Sequence, residues 1–350
     1  MPKSLVISID AMGGDNAPHI VIDGIAHFLK TQRQTRNIRF LLHGDAGQLT
    51  PLIDSAGIPA GVCEIRHTAT VIDMDAKASH AVRRGKGTSM WNAIAAVKVG
   101  EAQAGVSAGN TGALMGMSKL QLRMKTGVQR PAIAAIWPQK TDHCVVLDAG
   151  ANIGCDSAQL TEFAVLGEAY FRAMFGAAKP TIGLLNNGSE EGKGNDVVRA
   201  AHERLSESEL GLNYVGYVEG NDISMGDVNV IVTDGFSGNI ALKTAEGTAK
   251  LIRHFLEEAF KESLLSKLAA FISMPVLKRL SSKIDPRTLN GGVFLGLNGL
   301  MIKSHGGTDA LGFANAVKIA ADLAESDFMD EIDRTLAALH NEDDNIGFIV

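Results

Sequence analysis

The segment Asp227 to Gly247, DVNVIVTDGFSGNIALKTAEG, constrains the fold of this chain more than any other stretch. Val228 to Val232 is a short β-branched run of the kind that forms a strand buried on both faces. Asp234 to Asn239 then packs two glycines, a serine and an asparagine into one loop, and helical spacing resumes from Ile240 to Gly247. In a parallel sheet such a loop lies at the carboxyl edge of its strand, where backbone N–H groups and the start of the next helix face an anion.

The same order recurs. Ser107 to Gly112 reads SAGNTG ahead of an apolar segment from Ala113, and Val145 to Asn152 reads VVLDAGAN before a helical pattern from about Leu160. Ile182 to Asn195 reads IGLLNNGSEEGKGN before the helical DVVRAAHERL. These four loops are expected to converge on one cleft; the alternative is that they are only turns, since Gly and Asn are common turn residues. Leu5 to Ile9 is a further buried-strand candidate ending in Asp10, followed by AMGGDNAPH with Pro18 near a first helical turn. Arg39 to His43 and Val62 to Thr68 are short strand candidates, and Phe294 to Lys303 is expected to form a strand leading into SHGGTDALGFANAVKIA.

With 38 glycines among 350 residues and only 5% aromatic content, the composition suits close-packed α/β layers with tight loops better than a β-sandwich or a base-stacking platform. The formal charge of -6 gives no broad basic face, so nucleic acid is not an expected partner. Cys63, Cys144 and Cys155 have no CxxC spacing, which points to neither a disulfide framework nor a zinc site. The opening MPKSLVISID runs straight into a strand pattern and no apolar stretch reaches 18 residues, so the expectation is an intracellular chain that does not span a membrane.

Asn186 to Asn195, NNGSEEGKGN, invites comparison with a nucleotide P-loop but fails it. Only three residues separate Gly188 from the Gly192–Lys193 pair, and Gly194 stands where a metal-binding hydroxyl is required. No GxGxxG with a downstream ribose-binding acid follows a strand, so a nicotinamide cofactor has weak support. Lys77 to Ile94 is basic and then helical, and is read as a solvated helix end. From Lys250 to Met274 the apolar spacing gives an amphipathic helix that Pro275 should end or kink. The stretch 250–287 holds eight Lys or Arg against four Asp or Glu, fitting contact with an anionic membrane, the core or a dimer partner. The remainder, 322–350, is expected to be an acidic helix with a solvated face and a tail, behind a catalytic unit of residues 1–321.

Six motifs taken together, DAMGGD (10–15), SAGNTGALM (107–115), DAGAN (148–152), NNGSEEGKGN (186–195), VTDGFSGN (232–239) and KSHGG (303–307), resemble the PlsX family, the bacterial acyl-ACP:phosphate acyltransferases. The resemblance covers roughly Leu5 to Ala321 in the family's order. It implies a three-layer α/β/α fold with a mainly parallel sheet, similar to phosphotransacetylase and to the isocitrate and isopropylmalate dehydrogenases, with two lobes around a cleft. The activity it implies is transfer of a long fatty acyl group from acyl carrier protein (ACP) to inorganic phosphate, without metal or cofactor. A homodimer with peripheral membrane contact is implied as well.

The chemistry is consistent with the residues. Hydrogen phosphate is already a dianionic nucleophile and a thiol is a good leaving group, so the protein has to position and stabilise. Under this reading Lys193, with the backbone of Gly192 and Gly194, binds phosphate. Asn110, Asn195 and Asn239 are donors to the thioester carbonyl or phosphate, with Ser107, Thr111, Asn152, Asn187 and Ser237 as further phosphate or substrate contacts. Asp234 orients a donor, and Lys303 or His305 supplies charge or a proton; Asp10 and Asp15 are read as fixing their turn. Arg83, Arg84, Lys86, Lys278 and Arg279 are candidates to dock the acidic carrier. The competing readings are a short-chain phosphotransacetylase using coenzyme A and a non-catalytic membrane-associated scaffold.

Overall fold

The computed structural model describes residues 4–31, 37–140, 142–283 and 285–346. Its strands are β1 (Leu5–Asp10), β2 (Ile38–Gly44), β3 (Cys63–His67), β4 (Ala104–Ser107), β5 (Ala132–Pro138), β6 (His143–Leu147), β7 (Thr181–Leu185), β8 (Asn213–Val218), β9 (Val230–Val232), β10 (Gly292–Leu295) and β11 (Leu300–Lys303). They form one 11-stranded sheet in the order β3-β2-β1-β4-β11-β10-β5-β6-β9-β7-β8. From β3 to β11 neighbours are parallel. The direction changes at β10, which is antiparallel to both β11 and β5, and again between β5 and β6. The strands β6, β9, β7 and β8 are then parallel to one another. Consequently the two parallel halves run in opposite directions, and their carboxyl ends leave the sheet at opposite edges.

Alternation with period two sends side chains to both faces. The helices are α1 (His19–Thr31), α2 (Ala46–Ala56), α3 (Ala78–Arg84), α4 (Ser89–Lys98), α5 (Thr111–Leu122), α6 (Ser157–Phe175), α7 (Asp196–Glu207), α8 (Asp222–Met225), α9 (Gly235–Lys261), α10 (Leu264–Lys283), α11 (Ala310–Glu325) and α12 (Phe328–Ile346). On one face Ile7, Ile9, Val106, Val145, Leu147, Val230 and Ile302 share a core with α1, α6 and α11. On the other, Leu41, Ile133, Phe294 and Met301 pack under α4 and α5, while Val146 and Ile231 pack under α8 and α9. The layers are helix, sheet, helix, and the sheet is mainly parallel.

Three expectations need correction. The segment 294–303 is a hairpin rather than one strand, because β10 and β11 pair with each other across a turn containing Gly296 at φ 84°. The helix over 250–274 is two helices; the break falls between Lys261 and Leu264, and Pro275 lies inside α10. A boundary at 321/322 cuts through α11, and the acidic helix starts only at Phe328. That last helix is docked along a stripe of Phe328, Ile332, Leu336 and Leu339, all buried. Phe328 meets Tyr170 edge-on at 5.9 Å, Glu331 pairs with Arg172, and Asp333 receives the buried Lys125 ammonium at 2.5 Å.

Candidate active site

In the N-terminal half, three glycine loops leave adjacent strands. Pairing sets Asp10, the last residue of β1, beside Ser107, the last of β4, and Ser107 beside Lys303, the last of β11. Ser107 Oγ donates to Asp10 Oδ2 at 2.7 Å and accepts from Gly109 N at 3.0 Å. The Asp15 amide donates to the Gly306 carbonyl, which ties DAMGGD to KSHGG. Lys303 Nζ donates to the carbonyls of Ala108, at 3.3 Å, and Ser304. Glycine is required where these loops touch, since a Cβ on Gly13 would lie 2.8 Å from Gly109 N. Burial brings the Lys303 amine down to about 8, against the pull of Asp10 and Asp15.

In the C-terminal half, Asp148 follows β6 and organises its loop. Its Oδ1 accepts from the amides of Ile133, Gly150 and Ala151 at 2.9 to 3.0 Å, and its Oδ2 accepts from Asn152 N and Nδ2. Burial raises its carboxyl pKa while these N–H groups pull the other way. The first turn of α9 lies directly on this loop. Gly235 N donates to the Asn152 carbonyl at 2.7 Å, and a Cβ on Gly238 would collide with the Asp148 carbonyl oxygen. Asn239 faces Gly150, whose φ of +135° no ordinary L-residue adopts easily. The loop 186–195 leaves β7, next to β9 in the sheet, at the same edge.

The structure therefore brings the sequence-derived loops together in two groups. Ala149 and Ala151 of the Asp148 loop belong to the same apolar cluster as Ala113, Leu114 and Met117 of α5, which places the two halves side by side on this face.

Several named residues are already engaged in shaping the loops. Asn110 caps α5 through Ala113 N and spends its amide on the carbonyls of Met74 and Ala76. Asn195 caps α7, Asp234 caps α9 and also accepts from Ser237 Oγ, and the buried Asn152 donates to Pro131 and Asp148. Asn187 Oδ1 accepts from Gly194 N. These side chains build the backbone cradle; the ones with capacity left for a ligand are others. Lys193 is exposed and lies across Gly188, Gly192 is open, and Thr111 is exposed in the first turn of α5. His305 accepts from Gly307 N through Nδ1, so a neutral ring carries its proton on the exposed Nε2. Asn239 is half-buried beside Gly150. Arg83, Arg84 and Lys86 are exposed at the end of α3, and Arg279 is exposed on α10; the side chain of Lys278 lies outside the described residues.

Asp148, Asp10 and Asn186 were absent from the sequence-derived site. Asn186 Nδ2 is buried without a hydrogen-bond partner among the described residues. It lies next to Gly194, at which a Cβ would come within 3.1 Å of it. The signal available was position: each of the three is the last residue of a strand or the first after it, where side chains still belong to the sheet edge.

The model of the family described as "Fatty acid synthesis protein" matches residues 5–331. The chain is 55% identical over 327 residues to the phosphate acyltransferase of Maricaulis maris, covering 93% of each sequence. The chain belongs to the PlsX family of phosphate acyltransferases. The member from Caulobacter vibrioides is 51% identical, over 97% of this chain and 93% of that one. A phosphotransacetylase from Streptococcus pyogenes shares the fold, with a TM-score of 0.63, 20% identity and coverage of 93% and 95%. The protein is an acyltransferase of fatty acid synthesis.

Proposed function

We propose that the protein transfers a long-chain acyl group from the thioester of acyl carrier protein to inorganic phosphate, releasing acyl phosphate and free carrier. Phosphate, named in its relatives, is held by the glycine-loop amides with Lys193 and the free amides of Asn186 and Asn239. The carrier is read from α3. Arg83 and Arg84 close that helix in the open, Lys86 follows, and α3 packs on α5 with Ala78 Cβ 3.0 Å from a Cβ built on Gly112. A basic surface thus borders the N-terminal glycine loops, where an acidic carrier would deliver its thioester.

Purified protein mixed with palmitoyl-ACP and phosphate is expected to give acyl phosphate trapped by hydroxylamine, while acetyl-CoA gives little. The double variant Arg83→Glu/Arg84→Glu should raise KM for palmitoyl-ACP at least tenfold at low salt with kcat retained. Equal rates with acetyl-CoA, or an unchanged KM, would count against the carrier reading.

The helices α9 and α10 carry the membrane part of the reading. Leu264, Leu265, Phe271 and Ile272 are 84%, 80%, 75% and 69% exposed, and α10 packs against α9. No helix among the described residues is long and apolar enough to cross a membrane. Burial in a lipid surface would stabilise each of these side chains by about 1.5–3 kcal/mol, and Lys261 and Lys267 add attraction to anionic headgroups. Binding to anionic vesicles in a flotation assay is expected, and Leu265→Glu with Phe271→Glu should abolish it. Vesicle binding that survives this double change would remove the hairpin from the reading. The homodimer is tested by light scattering on the same samples.

A further inference from the structure

Across the carboxyl end of β3, β2, β1, β4 and β11, strand pairing sets Arg66, His43, Asp10, Ser107 and Lys303 in one row. Residues in register on parallel neighbours point to the same face, here the face covered by α3, α4 and α5. Arg66 is occupied by Glu64 and Glu101. Ser107 is occupied by Gly109 N and Asp10. Asp10 is only 1% exposed, yet its Oδ1 has no hydrogen-bond partner among the described residues. Buried polar atoms are seldom left so, and a charged one is costly unless something nearby compensates it. Burial pushes the Asp10 carboxyl up, the nearby Ser89 and Ser107 hydroxyls and the Met12 amide pull it back down, and Lys303, one strand beyond Ser107, adds a positive charge. The Lys303 ammonium is held by two backbone carbonyls that neutralise none of that charge. This row lies beside the α5 start that α3 borders, so the sulfur end of a carrier-borne thioester arrives on its side of the site.

We propose that Lys303 protonates the leaving sulfur of the carrier thioester, and that Asp10, fixed by Ser107, is the positioning residue that keeps the ammonium in place. This rests on the acyl-transfer reading above and assigns the step it left open. An oxygen of hydrogen phosphate bonds to the carbonyl carbon and the C–S bond breaks. The sulfur leaves with the bonding electron pair and takes the Lys303 proton. The amine recovers a proton from the P–OH of the acyl hydrogen phosphate, so the net products are acyl phosphate and carrier thiol. The charged groups facing Lys303 are Asp10 of β1 and Asp15 of the loop behind it, with His305 following in its own loop. With its pKa near 8, the amine is charged at neutral pH and still gives up its proton readily.

The test compares two donors at saturating phosphate: palmitoyl-ACP and the palmitoyl thioester of an aromatic thiol, whose thiolate leaves without a proton. Lys303→Met and Lys303→Arg are both expected to lose about 100- to 10,000-fold with palmitoyl-ACP and at most a few-fold with the aromatic thioester. The wild-type kcat/KM for palmitoyl-ACP should fall above pH 8, and Asp10→Asn should move that limb to lower pH, because removing the carboxylate weakens the charged amine. Equal losses with both donors would make Lys303 a phosphate ligand and overturn the proposal. So would a full palmitoyl-ACP rate in Lys303→Arg, whose guanidinium is too weak an acid to donate. The wild-type rate alone tests the acyl transfer; the ratio between donors in the variants tests Lys303.

Discussion

Asn239→Ala is expected to slow acyl phosphate formation by about 100-fold or more, the usual consequence of deleting a donor aimed at developing negative charge. The side chain sits in the first turn of α9, against Gly150 of the Asp148 loop. It stands among backbone N–H groups of a helix start, where an added anion is favoured. Most of its neighbours are spent on the loop itself: Asp234 and Ser237 on each other, Asn152 on Asp148. Asn239 and Asn186 are the amides positioned to serve a ligand instead. Loss of kcat with KM for phosphate little changed would mark Asn239 as an oxyanion donor; a rise in KM alone would mark it as a phosphate contact. A variant with both parameters unchanged would remove it from the site. Because no hydrogen bond among the described residues depends on this side chain, its thermal midpoint should stay within a few degrees of wild type.

Asp148→Ala carries the opposite signature. Three buried or half-buried amides converge on Oδ1, and the amide and side chain of Asn152 converge on Oδ2. Removing the carboxylate leaves five donors without an acceptor. At about 1–3 kcal/mol for each buried group left unpaired, partly relieved by relaxation, the cost should reach at least about 3–5 kcal/mol. Urea denaturation followed by circular dichroism reads this directly. Asp148→Asn keeps one oxygen but adds donors of its own, so it should recover only part of the loss. A midpoint shift in Asp148→Ala smaller than that of an average surface substitution would show that the loop has other support.

Much of the architecture was legible in the letters. Leu5–Asp10 and Ile38–Gly44 are apolar runs bounded by polar turns, and the pattern from Asp196 is strongly amphipathic; local chemistry alone sets these elements. The hairpin of β10 and β11 was hidden because apolar residues continue through Leu297, although the Asn298–Gly299 pair is a turn signal. Pro275 misled the reading because its cost falls on a helix whose actual break, near Ser263, is set elsewhere. The site was legible as loops and less so as side chains. Asn110, Asn195 and Asp234 have the residue types of anion donors or their partners, but the same types are the preferred helix caps, and spacing cannot separate the two uses. Nor does sequence order reveal that the chain runs its two halves in opposite directions. That depends on which strands end up adjacent, and β10 and β11 come from nearly 200 residues after β4.

That late arrival governs how the molecule can be built. The pair formed by residues 292–303 slots between β4 and β5, so until it emerges from the ribosome each of those strands presents an open edge. Such edges recruit whatever strand is at hand, and closure over so long a span is intrinsically slow. Synthesis and assembly are thereby coupled: a nascent chain halted before Lys303 is a template for aggregation, and the last hairpin to be made completes both halves at once.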